Sequence, residues 1–179
     1  MPHHYPQEAA LRDGRRLLLR PFKAEEVNDL HAFFLRLPER DRRFAWERIE
    51  DRSVVEEFAR TLDYSRTFPL LAFDGDRIVA DATLHLRRTG PLRLVGRVRW
   101  LIDPDYRRQG LGSTMVQQLI RIAKENDLRR LTCMLISELE EHAIEVLKSL
   151  GFAPYQIPGY GTDPDGGQHD MTMLVLKLN

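Results

Sequence analysis

Cysteine is nearly absent. Cys133 is the only one in the chain, which excludes an internal disulfide and any cysteine-based metal site. It stands in the apolar stretch LTCMLI, where a buried, inert thiol is expected rather than a nucleophile. Neither sign of charge prevails: 27 Lys and Arg match 27 Asp and Glu, so the molecule-wide field that draws proteins to nucleic acid is missing. Local basic patches remain allowed. No apolar run approaches the ~20 residues of a membrane-spanning helix, and the opening MPHHYPQEAALRDG lacks the apolar middle of a secretory signal. Repeats and low-complexity tracts are absent too. The expectation is a cytoplasmic protein that binds neither membrane nor nucleic acid.

What is present is an ordinary globular composition, 42% hydrophobic and 30% charged over 179 residues, enough for one domain with a core of its own. A short tail over 1–14, including His3 and His4, is expected to precede a single domain over 15–179. RRLLLRPF (15–22) reads as a strand stopped by Pro21. Val27, Leu30, Phe34 and Leu37 recur at helical steps up to Pro38. ERDRRFAWERIED reads as a connection or irregular helix. Ser53 with Glu56 predicts a capping box for a second helix carrying Val55, Phe58, Ala59 and Leu62. Two apolar runs around Asp74-Gly75-Asp76 predict a hairpin, and RLVGRVRWLID (93–103) a third antiparallel strand close behind. Met115, Val116, Leu119, Ile120 and Ala123 mark a further helix, and LTCMLI a central strand. Ser137 and Glu140 predict another capping box, before a helix that Gly151 ends. PGYGTDPDGGQHD reads as a loop before a last strand, MTMLVLKL.

The chemistry concentrates at PDYRRQGLGS (104–113), where two arginines and two glycines open a helix. A helix N-terminus offers free N–H groups and about half a positive charge, so it binds phosphate without any particular side chain. Gly110 and Gly112 permit the turn and close backbone approach. Ser113 adds a hydroxyl, and Arg107 and Arg108 add charge. The competing reading is a plain strand-to-helix turn. A dinucleotide motif would need a third glycine where Met115 stands, and a Walker loop needs G-x-x-x-x-G-K, which is missing.

LIDPDYRRQGLGSTMVQQLI resembles the acetyl-coenzyme A signature of the GNAT superfamily of N-acetyltransferases, Q/R-x-x-G-x-G/A, met here by Arg107, Gly110 and Gly112. LKSLGF (147–152) is similar to the family's closing lGF, and the element order matches from about 15 to 178. LRPFKAEEVNDLHAFF and HDMTMLVLKL are more weakly similar to the protein-acetyltransferase-like branch. The resemblance implies an α/β (mixed α+β) GNAT fold. Its central, twisted, mostly antiparallel sheet would have about six to seven strands flanked by about four helices, with a cleft between the signature strand and the next. It implies acetyl-CoA as co-substrate, no metal, and transfer of acetyl to a primary amine of a small molecule or a protein lysine; such folds often dimerise, which leaves a homodimer open while the sequence itself does not fix the oligomeric state. The main-chain amides from Arg108 through Gln109, Gly110, Leu111 and Gly112 to Ser113 would hold the pyrophosphate, and Leu101, Ile102 and Asp103 the pantetheine arm.

The family's usual base and acid are missing. Where many relatives carry a glutamate on the signature strand this chain has Arg97, and where they carry a tyrosine it has Leu147; Glu140 stands where an asparagine is common. His85 is the substitute expected as base, and Tyr155 or Tyr160 as acid. Asp81 is expected to pair with Arg97 or Arg99 on the strand face. His31, His142 and His169 show no metal-ligand spacing. The arginines at 42, 43, 87, 88, 93, 97 and 99, if they line the cleft, favour an acceptor bearing a carboxylate or phosphate beside its amine, or equally an acidic peptide. A non-catalytic acyl-CoA-binding module is the alternative function.

Overall fold

A computed structural model of the chain describes residues 4–178; His3 lies outside them. One mixed sheet of eight strands, in the order β1-β2-β3-β4-β5-β6-β8-β7, organises the molecule. Its strands are β1 (Gln7–Ala10), β2 (Arg16–Pro21), β3 (Thr67–Asp74), β4 (Arg77–His85), β5 (Val95–Ile102), β6 (Arg130–Ile136), β7 (Ala153–Thr162) and β8 (Gln168–Lys177). Every neighbouring pair is antiparallel except β5 and β6. The helices among the described residues are α1 (Val27–Arg36), α2 (Glu39–Arg43), α3 (Arg52–Arg60), α4 (Leu111–Glu125) and α5 (Glu141–Ser149), with single 3₁₀ turns at 24–26 and 104–106.

The sheet is thus wider than the expected six to seven strands, and the helices number five rather than four. Residues 7–10, within the segment read as a tail, pair with β2, where Ala9 is buried opposite Leu17. Most of PGYGTDPDGGQHD is strand as well, because β7 and β8 extend to a turn at 163–167. Its Gly and Pro content signalled a loop, but cross-strand pairing with β8 overrides that local preference.

The two predicted capping boxes fall elsewhere. The N-cap of α3 is Asp51, whose carboxylate accepts the Ser53 N–H at 3.0 Å. At α5 the Glu140 carboxylate reaches back to the Ile136 N–H at 2.7 Å instead of to the helix.

Each face of the sheet carries its own apolar cluster. On one side Phe22, Leu30, Phe33, Phe34, Val55 and Ala59 from α1, α3 and the approach to them meet Leu71, Phe73 and Ile78 of the sheet. On the other, Leu111, Met115, Val116, Leu119 and Ile122 of α4, with Leu147 of α5, meet Ala80, Ala82, Leu84 and Val98. Burying such side chains is worth about 1.5–3 kcal/mol each, which locks both helical layers to β4 and β5.

The parallel pair is what creates a site. β5 and β6 share register only from Val95–Arg130 to Arg97–Thr132. Gly96 sits in that short contact because a Cβ there would fall 2.7–2.8 Å from methyls of Leu84, Leu128 and Leu131. Beyond Arg97, β5 stays paired with β4 up to Ile102 while β6 stays paired with β8 up to Ile136, so the two diverge and leave a cleft between them.

Candidate functional site

The cleft has a volume of about 1050 Å³ and runs from the N-terminus of α4, past the open edge of β5, to a wall made by α2 and the β7–β8 hairpin. At the α4 end, the first helical bond runs from the Thr114 N–H to the Gly110 carbonyl at 3.1 Å. The N–H groups of Arg108 through Ser113 find no protein acceptor among the described residues. Gly110 is left-handed (φ 86°), and so is Arg108 (φ 57°), a turn that points successive N–H groups inward as in an anion nest. The first N–H groups of a helix have no partner within it; facing a cleft, together with the helix dipole, these form a cradle suited to a diphosphate.

Gly112 has a different reason for being glycine than closeness to the phosphate alone. A Cβ there would meet Ile102 Cδ1 at 3.3 Å and Trp100 Nε1 at 3.4 Å, tight contacts that leave little room for a side chain between the first turn of α4 and β5.

The predicted site residues divide by what they do. Arg108, Gly110, Gly112 and Ser113 line the cleft, as do Leu101 and Ile102 on the open strand edge. Arg107 lines it too, but its guanidinium is spent internally: Nε donates to the Ile102 carbonyl at 2.9 Å, and Nη2 ion-pairs with Asp41. Gln109 contributes its carbonyl to the Arg12 N–H at 3.1 Å, and the Leu111 side chain is in the core. Asp103 is buried and faces away from the cleft. Its carboxylate accepts from Arg77 at 2.7 Å, Arg36 at 3.2 Å and the Asp105 N–H at 3.2 Å. Although burial opposes ionisation, these partners hold its carboxyl below the usual range. It fixes where β5 ends.

Arg12 is a residue that sequence reasoning missed. The turn between β1 and β2 brings it to the cradle, and neither it nor Arg108 ion-pairs with a carboxylate among the described residues. No local motif marks it, since its position depends on the pairing of β1 with β2.

At the other end, Trp46 from the segment after α2 lies against β4 and β5. The Arg97 guanidinium sits 3.3 Å and that of Arg99 4.3 Å from its ring centroid, and the His85 ring 5.6 Å away. His85 therefore packs against Trp46 and is not among the residues lining the cleft. Burial, then the two arginines, pushes its pKa down to about 4, which makes it a weak proton acceptor near neutrality. Tyr155 and Tyr160 are exposed on β7, and no tyrosine lines the cleft among the described residues. Asp81 pairs with neither Arg97 nor Arg99; it accepts the Thr83 hydroxyl at 2.9 Å, and burial raises its pKa to about 6. Cys133 lines the cleft with its thiol pushed up to about 12 by burial, too weakly acidic to act as a nucleophile.

Glu140 is the cleft carboxylate suited to proton transfer. Burial raises its pKa above the ordinary glutamate value, against the Ile136 N–H and the Arg99 charge, which lower it. Asp41 and Asp163, also on the cleft wall, are occupied by Arg107 and by the Gly167 N–H and His169. The sequence placed Glu140 at the start of α5, but its burial comes from the divergence of β5 and β6. Among the described residues no group of three or more His, Cys, Asp or Glu side chains is placed to hold a metal ion, and no helix is long and apolar enough to cross a membrane.

The profile of the acetyltransferase (GNAT) family matches residues 30–152, while a search of curated proteins finds no match. Among solved structures, the fold is similar to the GNAT domain of S. lividans PAT, with a TM-score of 0.81 and 19% identity over 99% of each chain. It is also similar to the ribosomal-protein-S5-alanine acetyltransferase of Vibrio fischeri, with a TM-score of 0.78 and 18% identity over 90% of this chain and 92% of that one. YncA of Salmonella typhimurium, solved with its cofactor acetyl-CoA, gives 0.73 and 17% over 91% and 94%. With more than half of its length inside the family profile, this chain belongs to the GNAT acetyltransferase family.

Proposed function

We propose that the protein transfers acetyl from acetyl-CoA directly to a primary amine, with Glu140 taking the proton from the incoming ammonium. The observation that carries the reading is the row of acceptorless N–H groups from Arg108 to Ser113 beside the unpaired edge of β5. That arrangement fits an extended, amide-containing thioester with a diphosphate at one end: the amides and the Arg12 and Arg108 guanidiniums take the diphosphate, and the edge of β5 around Leu101 and Ile102, which β6 leaves unpaired though the Ile102 carbonyl already accepts from Arg107, takes the amide arm. Acetyl-CoA, when bound, supplies the activated acetyl group.

The chain's own task is then a proton problem. An alkyl ammonium of pKa near ~10.4 is neutral only to about one part in a few thousand at pH 7, a deficit of roughly 4–5 kcal/mol. A half-buried carboxylate with a raised pKa, held in place by the Ile136 N–H, accepts that proton more readily than an exposed one. The ammonium first gives one proton to Glu140; as the amine nitrogen then bonds to the acetyl carbonyl carbon and the carbon–sulfur bond breaks, nitrogen loses a second proton, which reaches the thiolate through solvent, so that one proton is released overall when Glu140 returns its own to water. No covalent enzyme intermediate is needed, in keeping with an inert Cys133.

A non-catalytic acyl-CoA-binding module is the second reading. It is favoured by Leu147, wholly buried in the core, and by Arg97 stacked on Trp46 at the positions where relatives carry acid and base. Thiol release from acetyl-CoA over a panel of amines, amino acids and lysine peptides separates the two. Release above the no-acceptor rate supports transfer, whereas tight coenzyme binding with no release on any acceptor refutes it.

A further inference from the structure

At the acceptor end of the cleft two arginines stand side by side on β5. The Arg99 side chain lines the cleft, and its guanidinium is held against Trp46, which also carries Arg97. Neither guanidinium ion-pairs with a carboxylate or makes a hydrogen bond within the chain among the described residues. Glu140 and Asp81 are close enough to act on the Arg99 charge, but neither forms an ion pair with it; Asp81 accepts from Thr83 and Glu140 from the Ile136 N–H. Burial first, and then the two guanidiniums, depress the pKa of the neighbouring His85. A partly desolvated cation without a partner is unfavourable, and a guanidinium fork is matched by a carboxylate that accepts two parallel hydrogen bonds.

The surrounding geometry sets the size of what can bear that carboxylate. Arg43 of α2 ion-pairs with Asp163 at 3.8 Å and with Asp165, and Phe44 meets His169 edge-on at 5.6 Å. These contacts tie the α2 segment to the β7–β8 hairpin over the acceptor end, which suits a small molecule better than a protein segment. Arg99 and Leu101 share one face of β5 and lie about 7 Å apart along the strand. A carboxylate at Arg99 therefore leaves an amine a few bonds away, beside the edge assigned above to the thioester arm.

Resting on the acetyl-transfer reading, we propose that the acceptor is a small amino acid whose carboxylate is bound by Arg99, with Trp46 as the plate that holds the guanidinium. The products are then the N-acetyl amino acid and the free thiol: the ammonium nitrogen gives up two protons, one passing through Glu140 to water and one ending on sulfur.

The test is a set of matched pairs, each free amino acid beside its own carboxamide, assayed for thiol release with the full-length protein. Losing a charge-assisted hydrogen-bonded pair lowers kcat/KM by about 10- to 100-fold, so the acid of the best pair is expected to exceed its carboxamide by that factor. In Arg99→Gln the ratio falls to near one, whereas Arg99→Lys retains part of it. Coenzyme A affinity by calorimetry, expected to be unchanged, shows that each variant is folded. A wild-type ratio near one, a preference for carboxamides or lysine peptides, or an intact ratio in Arg99→Gln overturns the proposal while leaving acetyl transfer in place. No release with any amine overturns the acetyl-transfer reading itself.

Discussion

Replacing Glu140 by Gln probes the proposed proton transfer with little disturbance to the fold. The amide has nearly the shape of the carboxyl, and its oxygen can still accept the Ile136 N–H now bonded at 2.7 Å. What is lost is the base, typically worth roughly 10²- to 10⁴-fold in rate. In wild type, kcat/KM should rise with pH as Glu140 ionises, and the limb should lie above the ordinary glutamate range because burial raises the pKa; in Glu140→Gln that limb should vanish. Stability supplies the control. A carboxyl with a raised folded pKa binds protons more tightly in the native state, so its ionisation draws stability down as pH climbs from its unfolded pKa through the folded one. Glu140→Gln should therefore melt no lower than wild type at pH 7 to 8. Thiol-release kinetics from pH 5 to 9, with thermal melts alongside, measure both. A variant with an undiminished rate and the same acidic limb would refute the assignment, and slow catalysis accompanied by a lower melting temperature at pH 8 would show that the residue is structural.

Gly96→Ala should destabilise the domain by about 1–3 kcal/mol, because the new methyl overlaps three leucine side chains in a closed core; at roughly 2–4 °C per kcal/mol for a domain this size, calorimetry should find the melting point lowered by several degrees. Gly112→Glu should abolish coenzyme A binding in calorimetry, since its side chain meets Trp100 and Ile102 and brings negative charge to the cradle; wild-type affinity would count against the cradle. The His169 pKa is raised by its hydrogen bonds to Glu138 and then Asp163, so the hold on the β7–β8 turn is complete below about 6.5 and fades as pH rises through the raised value. Amide exchange at Gly167, after correction for intrinsic pH dependence, should speed up over that window in wild type and show no such step in His169→Gln.

The parts of the fold that were legible in the sequence are those written in local periodicity and turn chemistry. Asp74-Gly75-Asp76 gave the β3–β4 turn, the α1 and α4 stripes gave helices, and the glycines at 110 and 112 marked the cradle. Features that depend on distant pairing were not legible. Strand β1 exists because Gln7–Ala10 lie against β2, and β7 runs through a Gly- and Pro-rich stretch because β8 pairs with it. The same holds at the site. His85 had suitable chemistry on paper, but Trp46, nearly forty residues earlier in the chain, packs on its ring. Glu140 gained its raised pKa from a cleft that no spacing rule describes, and Arg107 matched the signature while its side chain is occupied by Ile102 and Asp41.

The central claim is that the amides at the start of α4 receive the diphosphate of coenzyme A. Amide NMR titration with coenzyme A, followed by pantetheine, which lacks the diphosphate, tests it directly. The account predicts that the resonances of Arg108 through Ser113 move most with coenzyme A and hardly at all with pantetheine, whereas shifts centred elsewhere, or equal shifts with both ligands, would contradict it.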